Sequence, residues 1–139
     1  MGTDIHAYIE FTNPEEQIEG EEEEVECLAK VELPRSYELF TAMADVRPDV
    51  VAERGETIKP FQPKGIPLII SWMAEEEYIE EDGAICPDWH TPSWLSTDEL
   101  KIAYKESQCQ LAEVEAVIAA MEALDRHRFS ARLTFWFDN

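Results

Sequence analysis

Strict alternation of apolar and polar residues at both ends of the chain restricts the fold more than any other feature. Between Asp4 and Phe11, the side chains of Ile5, Ala7, Ile9 and Phe11 share one side, and Asp4, His6, Tyr8 and Glu10 share the other. Between Phe129 and Asp138, the residues Phe129, Ala131, Leu133, Phe135 and Phe137 oppose Ser130, Arg132, Thr134, Trp136 and Asp138. A period of two predicts a β-strand at each end. Paired with each other, these strands would form a sheet with one apolar face. The second face would gather Asp4, His6, Tyr8, Arg132, Trp136 and Asp138.

Such a sheet must be covered, and the chain is long enough to do it. With 139 residues, 45% of them hydrophobic, residues 1–139 are expected to form one domain around one core. No apolar run approaches the roughly 18 residues of a membrane span, and the N-terminus lacks the basic and apolar regions of a signal peptide. A cytoplasmic location with no membrane association is expected. Cys27, Cys86 and Cys109 form no CxxC pair, so buried free thiols are expected rather than disulfides or a zinc site.

After the first strand, Asn13-Pro14 starts a turn, and a second alternating run places Val25, Cys27, Ala29, Val31 and Leu33 on one face, which predicts a hairpin. Pro34 precedes a helical stripe of Tyr37, Leu39, Phe40, Met43 and Ala44 that ends by Arg47-Pro48. From Pro48 to Pro92 the chain holds six of its eight prolines and three of its five glycines, the composition of a long ordered excursion. Within it, 67–70 reads as a short buried strand or an extended anchor, and Ser71 caps a short helix. Cys86 to Leu95 reads as a loop whose tryptophans either plug or line a groove. Ser96 and Glu99 form a capping box, and Leu100, Tyr104, Leu111, Val114, Ile118 and Met121 mark one helix running nearly unbroken to about Arg126. The expected class is α+β: a small antiparallel sheet containing both terminal strands, a long C-terminal helix on its apolar face, and the proline-rich excursion over the edge or the polar face.

Charge narrows the functional classes. Acids outnumber bases 31 to 11, a net charge of -20, beyond what solubility asks of a small domain. This field repels nucleic acid and membranes and draws in basic partners, more strongly at low salt. Two blocks carry much of it. Glu15, Glu16, Glu19, Glu21, Glu22, Glu23, Glu24 and Glu26 make the first; Glu75, Glu76, Glu77, Glu80, Glu81 and Asp82 make the second, together 14 carboxylates and no base.

Met1-Gly-Thr-Asp-Ile-His6 resembles the opening of a family of small phage and prophage proteins of unknown function that begin with this hexapeptide or with Cys in place of Thr. Arg35-Ser-Tyr-Glu-Leu-Phe40, Ala44-Asp-Val-Arg47, Lys64-Gly-Ile-Pro67 leading to Ser71, His90, Ser93-Trp-Leu95, Glu99-Leu100 and Phe135-Trp-Phe-Asp-Asn139 are similar to its landmarks in the same order. The resemblance covers most of the chain and implies a phage-related origin. It implies no activity.

Two functions from different classes fit these residues. In the first, the acid blocks bind a basic host protein that handles nucleic acid, a defence or CRISPR-like component, and occupy the channel meant for nucleic acid. Small acidic phage inhibitors, anti-CRISPR proteins included, resemble the chain in size and charge, and such an inhibitor acts as a nucleic-acid mimic without catalysis. In the second, Asp4, His6, His90, Trp94, Trp136 and Asp138 converge in a pocket that binds a metal or a nucleotide or hydrolyses a substrate. No HxH, HExxH, DxD, glycine-rich phosphate loop or nucleophile elbow is present, so no cofactor is expected and catalysis is the less expected of the two.

Overall fold

The structure, a computed structural model, describes residues 2–16, 18–21 and 23–139. Four antiparallel strands form one sheet in the order β2-β1-β4-β3, with β1 at Asp4–Thr12, β2 at Glu26–Val31, β3 at Trp89–Ser96 and β4 at Ser130–Asp138. The terminal strands lie side by side at its centre, in register from Asp4 opposite Asp138 to Thr12 opposite Ser130. Their apolar faces coincide because paired residues of antiparallel strands point the same way. The expected α+β architecture is the observed one.

Ile5, Ala7, Ile9, Leu133, Phe135 and Phe137 form the floor of the main core. Three helices roof it: α1 (Tyr37–Ala44) through Leu39, Phe40 and Met43, α4 (Thr97–Ser107) through Leu100 and Ala103, and α5 (Ala112–Arg126) through Val114, Ile118 and Met121. Ser36 caps α1 and the Ser96–Glu99 capping box starts α4. A short helix absent from the sequence reading, α2 (Pro48–Glu53), follows α1 with Pro48 in its first turn.

The second face is also covered. Helix α3 (Trp72–Tyr78), capped by Ser71, packs Ala74 and Tyr78 on Tyr8 and Trp136, with Cys27, Ile66, Ile70, Ile79 and Trp89 around them. Beside this small core, Glu10 is wholly buried. One of its oxygens accepts from Arg132 Nε at 3.0 Å and Thr134 Oγ1 at 2.6 Å, and the other from the Ser71 backbone N–H at 2.6 Å. Arg132 also donates to the Ile69 carbonyl at 2.5 Å. The excursion is thus tied to the sheet by charge-assisted bonds at the start of α3, and its hydrophobic contacts follow.

Three expectations need correction. The long helix is two: Gln108 takes a left-handed backbone (φ 58°) and ends α4. Hydroxyls make the break tolerable, with Ser107 bonding the Tyr104 carbonyl and the Cys109 N–H, and Tyr104 Oη accepting the Leu111 N–H at 2.7 Å. A single helix over 97–126 would be about 45 Å long, whereas nine-residue strands span only about 30 Å, so the break keeps the stripe over the sheet. Residues 89–96 form edge strand β3 rather than a loop. Pro92 is accommodated there because it falls in the irregularity between His90 and Ser93, where Thr91 has φ 52°. In β2 an extra residue, Leu28, separates the pairs Ile9–Ala29 and Glu10–Cys27, which turns Cys27 to the second face, away from Ala29 and Val31. Of the two readings of 67–70 the extended anchor is the observed one: no strand forms and Leu68 is fully exposed, while Ile70 packs on the second core and the Ile69 carbonyl accepts from Arg132.

Arg132→Met should destabilise the fold by about 3 kcal/mol in urea unfolding, since it leaves the Glu10 carboxylate buried without its counter-charge. Adding Glu10→Leu should recover a large part of that loss, whereas a second loss of similar size would mean that the pair does not act as a unit.

Candidate functional site

Register brings part of the predicted site together. His6, Trp136 and Asp138 share the second face, and His6 Nε2 lies 2.5 Å from Asp138 Oδ2. The His6 ring stacks on Trp136, with planes 8° apart and centroids 6.0 Å apart, and Trp89 tilts against it at 4.5 Å. Its Nδ1 lies 3.4 Å from Glu77 of α3. Glu77 is the hub of this end of the face: it accepts from Tyr8 Oη at 2.8 Å and from Lys30 Nζ at 2.6 and 2.8 Å, while its carbonyl receives the Trp89 indole N–H. Burial pushes the Glu77 pKa up, but the bonds from Lys30 and Tyr8 outweigh it and hold the carboxyl below its ordinary range. Burial first, and then the Glu77 carboxylate, raise the Tyr8 hydroxyl far above its ordinary value.

His90 lies elsewhere. It pairs with Phe137 and stacks on that ring at 6.0 Å, on the apolar side of the sheet and therefore opposite His6. Its Nε2 lies 3.0 Å from Asn139 Oδ1 and its Nδ1 2.9 Å from Thr91 Oγ1. With the amide oxygen accepting, Nε2 is the donor of the bond to Asn139. Asn139 Oδ1 also accepts from Thr3 Oγ1 at 2.9 Å, and Thr3 Oγ1 accepts from Arg47 Nε at 2.8 Å. Asp4 turns outward to a two-pronged ion pair with Arg35, whose hydrogen bonds hold the Asp4 carboxyl below its ordinary value. Trp94 is covered by the chain's own Lys64, whose Nζ is 3.7 Å from the ring centroid and 2.6 Å from Glu99.

The expected single pocket of Asp4, His6, His90, Trp94, Trp136 and Asp138 therefore does not form. Trp136 is completely buried, and both ring nitrogens of His6 and of His90 already have protein partners. Among the described residues, no group of three His, Cys, Asp or Glu side chains is arranged to hold a metal.

The acid blocks occupy different surroundings. Glu15 is exposed and lies 3.4 Å from Arg128. Glu16, Glu21, Glu23, Glu24 and Glu26 line a small cleft with Ile18 at the hairpin connection, and Glu19 is exposed there. Glu22 lies outside the described residues. On α3 and the turn after it, Glu75, Glu76, Glu80 and Glu81 are exposed, Asp82 bonds the Ala84 N–H, and Glu77 alone turns inward. Ser71 at Glu10, and Glu77 at Tyr8 and His6, fix the direction of α3 along β1, its N-terminus toward the hairpin connection.

Sequence alternation had already placed Glu10 and Arg132 on one face, the signal from which their pairing could be found. Nothing local in the sequence marks Glu77 among its acidic neighbours as the inward one. No helix among the described residues is long and apolar enough to cross a membrane. Comparison with protein-family models, curated proteins and solved structures finds no match.

Because the Glu77 pKa is depressed in the fold, its contribution to stability is complete above the ordinary glutamate value of about 4.3 and is lost as pH falls through the lower folded value. Unfolding free energy should therefore fall with acidification below about pH 4.3, and more shallowly in Glu77→Gln. Identical slopes for the two proteins would show that Lys30, Tyr8 and His6 do not stabilise the charged carboxylate.

Proposed function

We propose that the protein is an acidic inhibitor that binds a basic, nucleic-acid-handling host protein and presents carboxylates where nucleic acid would sit. Its main support is the state of four side chains on and just after α3. Glu75, Glu76, Glu80 and Glu81 are exposed, and none has an ion-pair or hydrogen-bond partner among the described residues. The helix that presents them is fixed at its start by the bonds of Ser71 and Ile69 to Glu10 and Arg132, and near its end by Glu77. Carboxylates on a fixed scaffold lose little freedom on binding, which favours a defined surface over a solvated tail.

The bases support the same reading. Seven of the eleven bases, Lys30, Arg35, Arg54, Lys64, Lys101, Arg128 and Arg132, each pair with an acid of the chain, so most of the positive charge is matched within the protein and the outward field is acidic. The first block adds to that field from the hairpin connection. The phage-type opening hexapeptide agrees with a host-directed role. Glu77 and Asp82 are removed from the set of contact residues by their internal bonds.

Single exposed ion pairs contribute only about 0–1 kcal/mol, so binding must be collective and weaken as salt rises. Capture from host lysate at low salt should yield basic nucleic-acid-binding proteins that DNA or RNA displaces. The combined Glu75→Lys, Glu76→Lys, Glu80→Lys and Glu81→Lys variant should capture them at least about tenfold less well, while alanine at any one of these four glutamates should have little effect. Equal capture by the reversed variant, or no displaceable partner, would overturn the proposal.

A further inference from the structure

We infer that α3 is the ridge of a docking surface for one short segment of the partner, a segment carrying an apolar anchor beside lysine or arginine. This rests on the acidic-inhibitor reading and specifies what the partner must offer. Two clefts flank the helix. An apolar one of about 640 Å³ is lined by Ile66, Leu68, Ile70, Tyr78 and Ile85. The other, about 600 Å³, is lined by Trp72, Glu76, Glu80, Glu81 and Trp89. Glu75 and Ile79 line both, so the two are one continuous surface.

Its exposed apolar side chains belong to neither core. Leu68 is 100% exposed, Trp72 72% and Ile85 52%, while their neighbours Ile66 and Ile70 pack inward on the second core. Isolated exposed apolar side chains are ordinary, but a cleft that several of them line marks an interaction site. Charge complementarity selects the occupant. Four carboxylates without side-chain partners among the described residues border this surface, so an acidic segment is repelled and a basic one is drawn in. An exposed tryptophan beside carboxylates also suits a guanidinium or ammonium group through its ring face. A purely electrostatic mimic would have no use for Leu68 or Ile85. Here the carboxylates would speed encounter while the apolar anchor slows release.

The full chain should be used to select from random displayed dodecapeptides, and a synthetic representative of the enriched sequences titrated by calorimetry. Sequences combining Leu, Ile or Phe with Lys or Arg are expected. Their affinity should fall about tenfold or more for Leu68→Asp and for Trp72→Ala, and also for the fourfold glutamate-to-lysine variant. Because Leu68 and Trp72 are exposed, the single variants should melt at the wild-type temperature. Purely basic peptides that ignore Leu68→Asp but lose binding on charge reversal would overturn the docking surface and leave the acidic-inhibitor reading standing. Apolar peptides indifferent to charge reversal would overturn both, and no enrichment would overturn the docking surface.

Discussion

Glu10 decides whether the sheet has one covered face or two. A carboxylate at the centre of a sheet is costly unless each oxygen is satisfied, and here a guanidinium, a hydroxyl and a backbone N–H do so. Because that N–H belongs to Ser71, the cap of α3, and the same guanidinium holds the Ile69 carbonyl, one buried pair fixes the orientation of the excursion on the sheet. The hydrophobic contribution of the second core then follows: Tyr8, Trp136, Ala74 and Tyr78 lie close together because the helix start is fixed. Hydrophobic burial supplies the larger energy, but it is not directional. The polar pair gives the excursion its register.

At the opposite end of β1, four residues far apart in sequence meet. Thr3 and Asn139 bond each other across the paired termini, His90 joins from β3, and Arg47 reaches in from the start of α2. Arg47 and Thr91 both have positive φ, 59° and 52°, a conformation that costs energy in a residue with a side chain and persists where the surroundings impose it. Closing the sheet is therefore a sufficient role for these residues. Locking the two termini together protects central strands whose ends would otherwise fray.

Features written in local period and capping chemistry were legible in the sequence. Alternation located β1 and β4 and their shared faces, Ser71 and Ser96 located two helix starts, and the stripe from Leu100 to Met121 located the residues under the roof. What escaped depended on groups distant in sequence or on side chains that substitute for backbone partners. The α4–α5 break requires the hydroxyls of Ser107 and Tyr104, and Pro92 disguised an edge strand that tolerates it. An extra residue in β2 reversed Cys27. For the candidate site, the register of the termini was enough to bring His6 near Asp138. The opposed direction of His90 could not be foreseen without its pairing to Phe137, and the inward turn of Glu77 required the docking of α3.

The distribution of charge separates the fold from its acidity. An excess of 20 carboxylates over bases would strain a compact chain by self-repulsion if the charges were near the core. The sheet avoids this by giving Glu10 and Glu77 basic partners and by confining the acid runs to the hairpin connection and the outer side of α3. There, water and salt screen them over a Debye length of roughly 8 Å. Removing the carboxylates on the outer side of α3 would cost the fold little, because no contact within the described structure depends on them. These side chains, which the fold does not need, which raise self-repulsion and which border an exposed apolar cleft, are the ones on which the proposed docking surface rests.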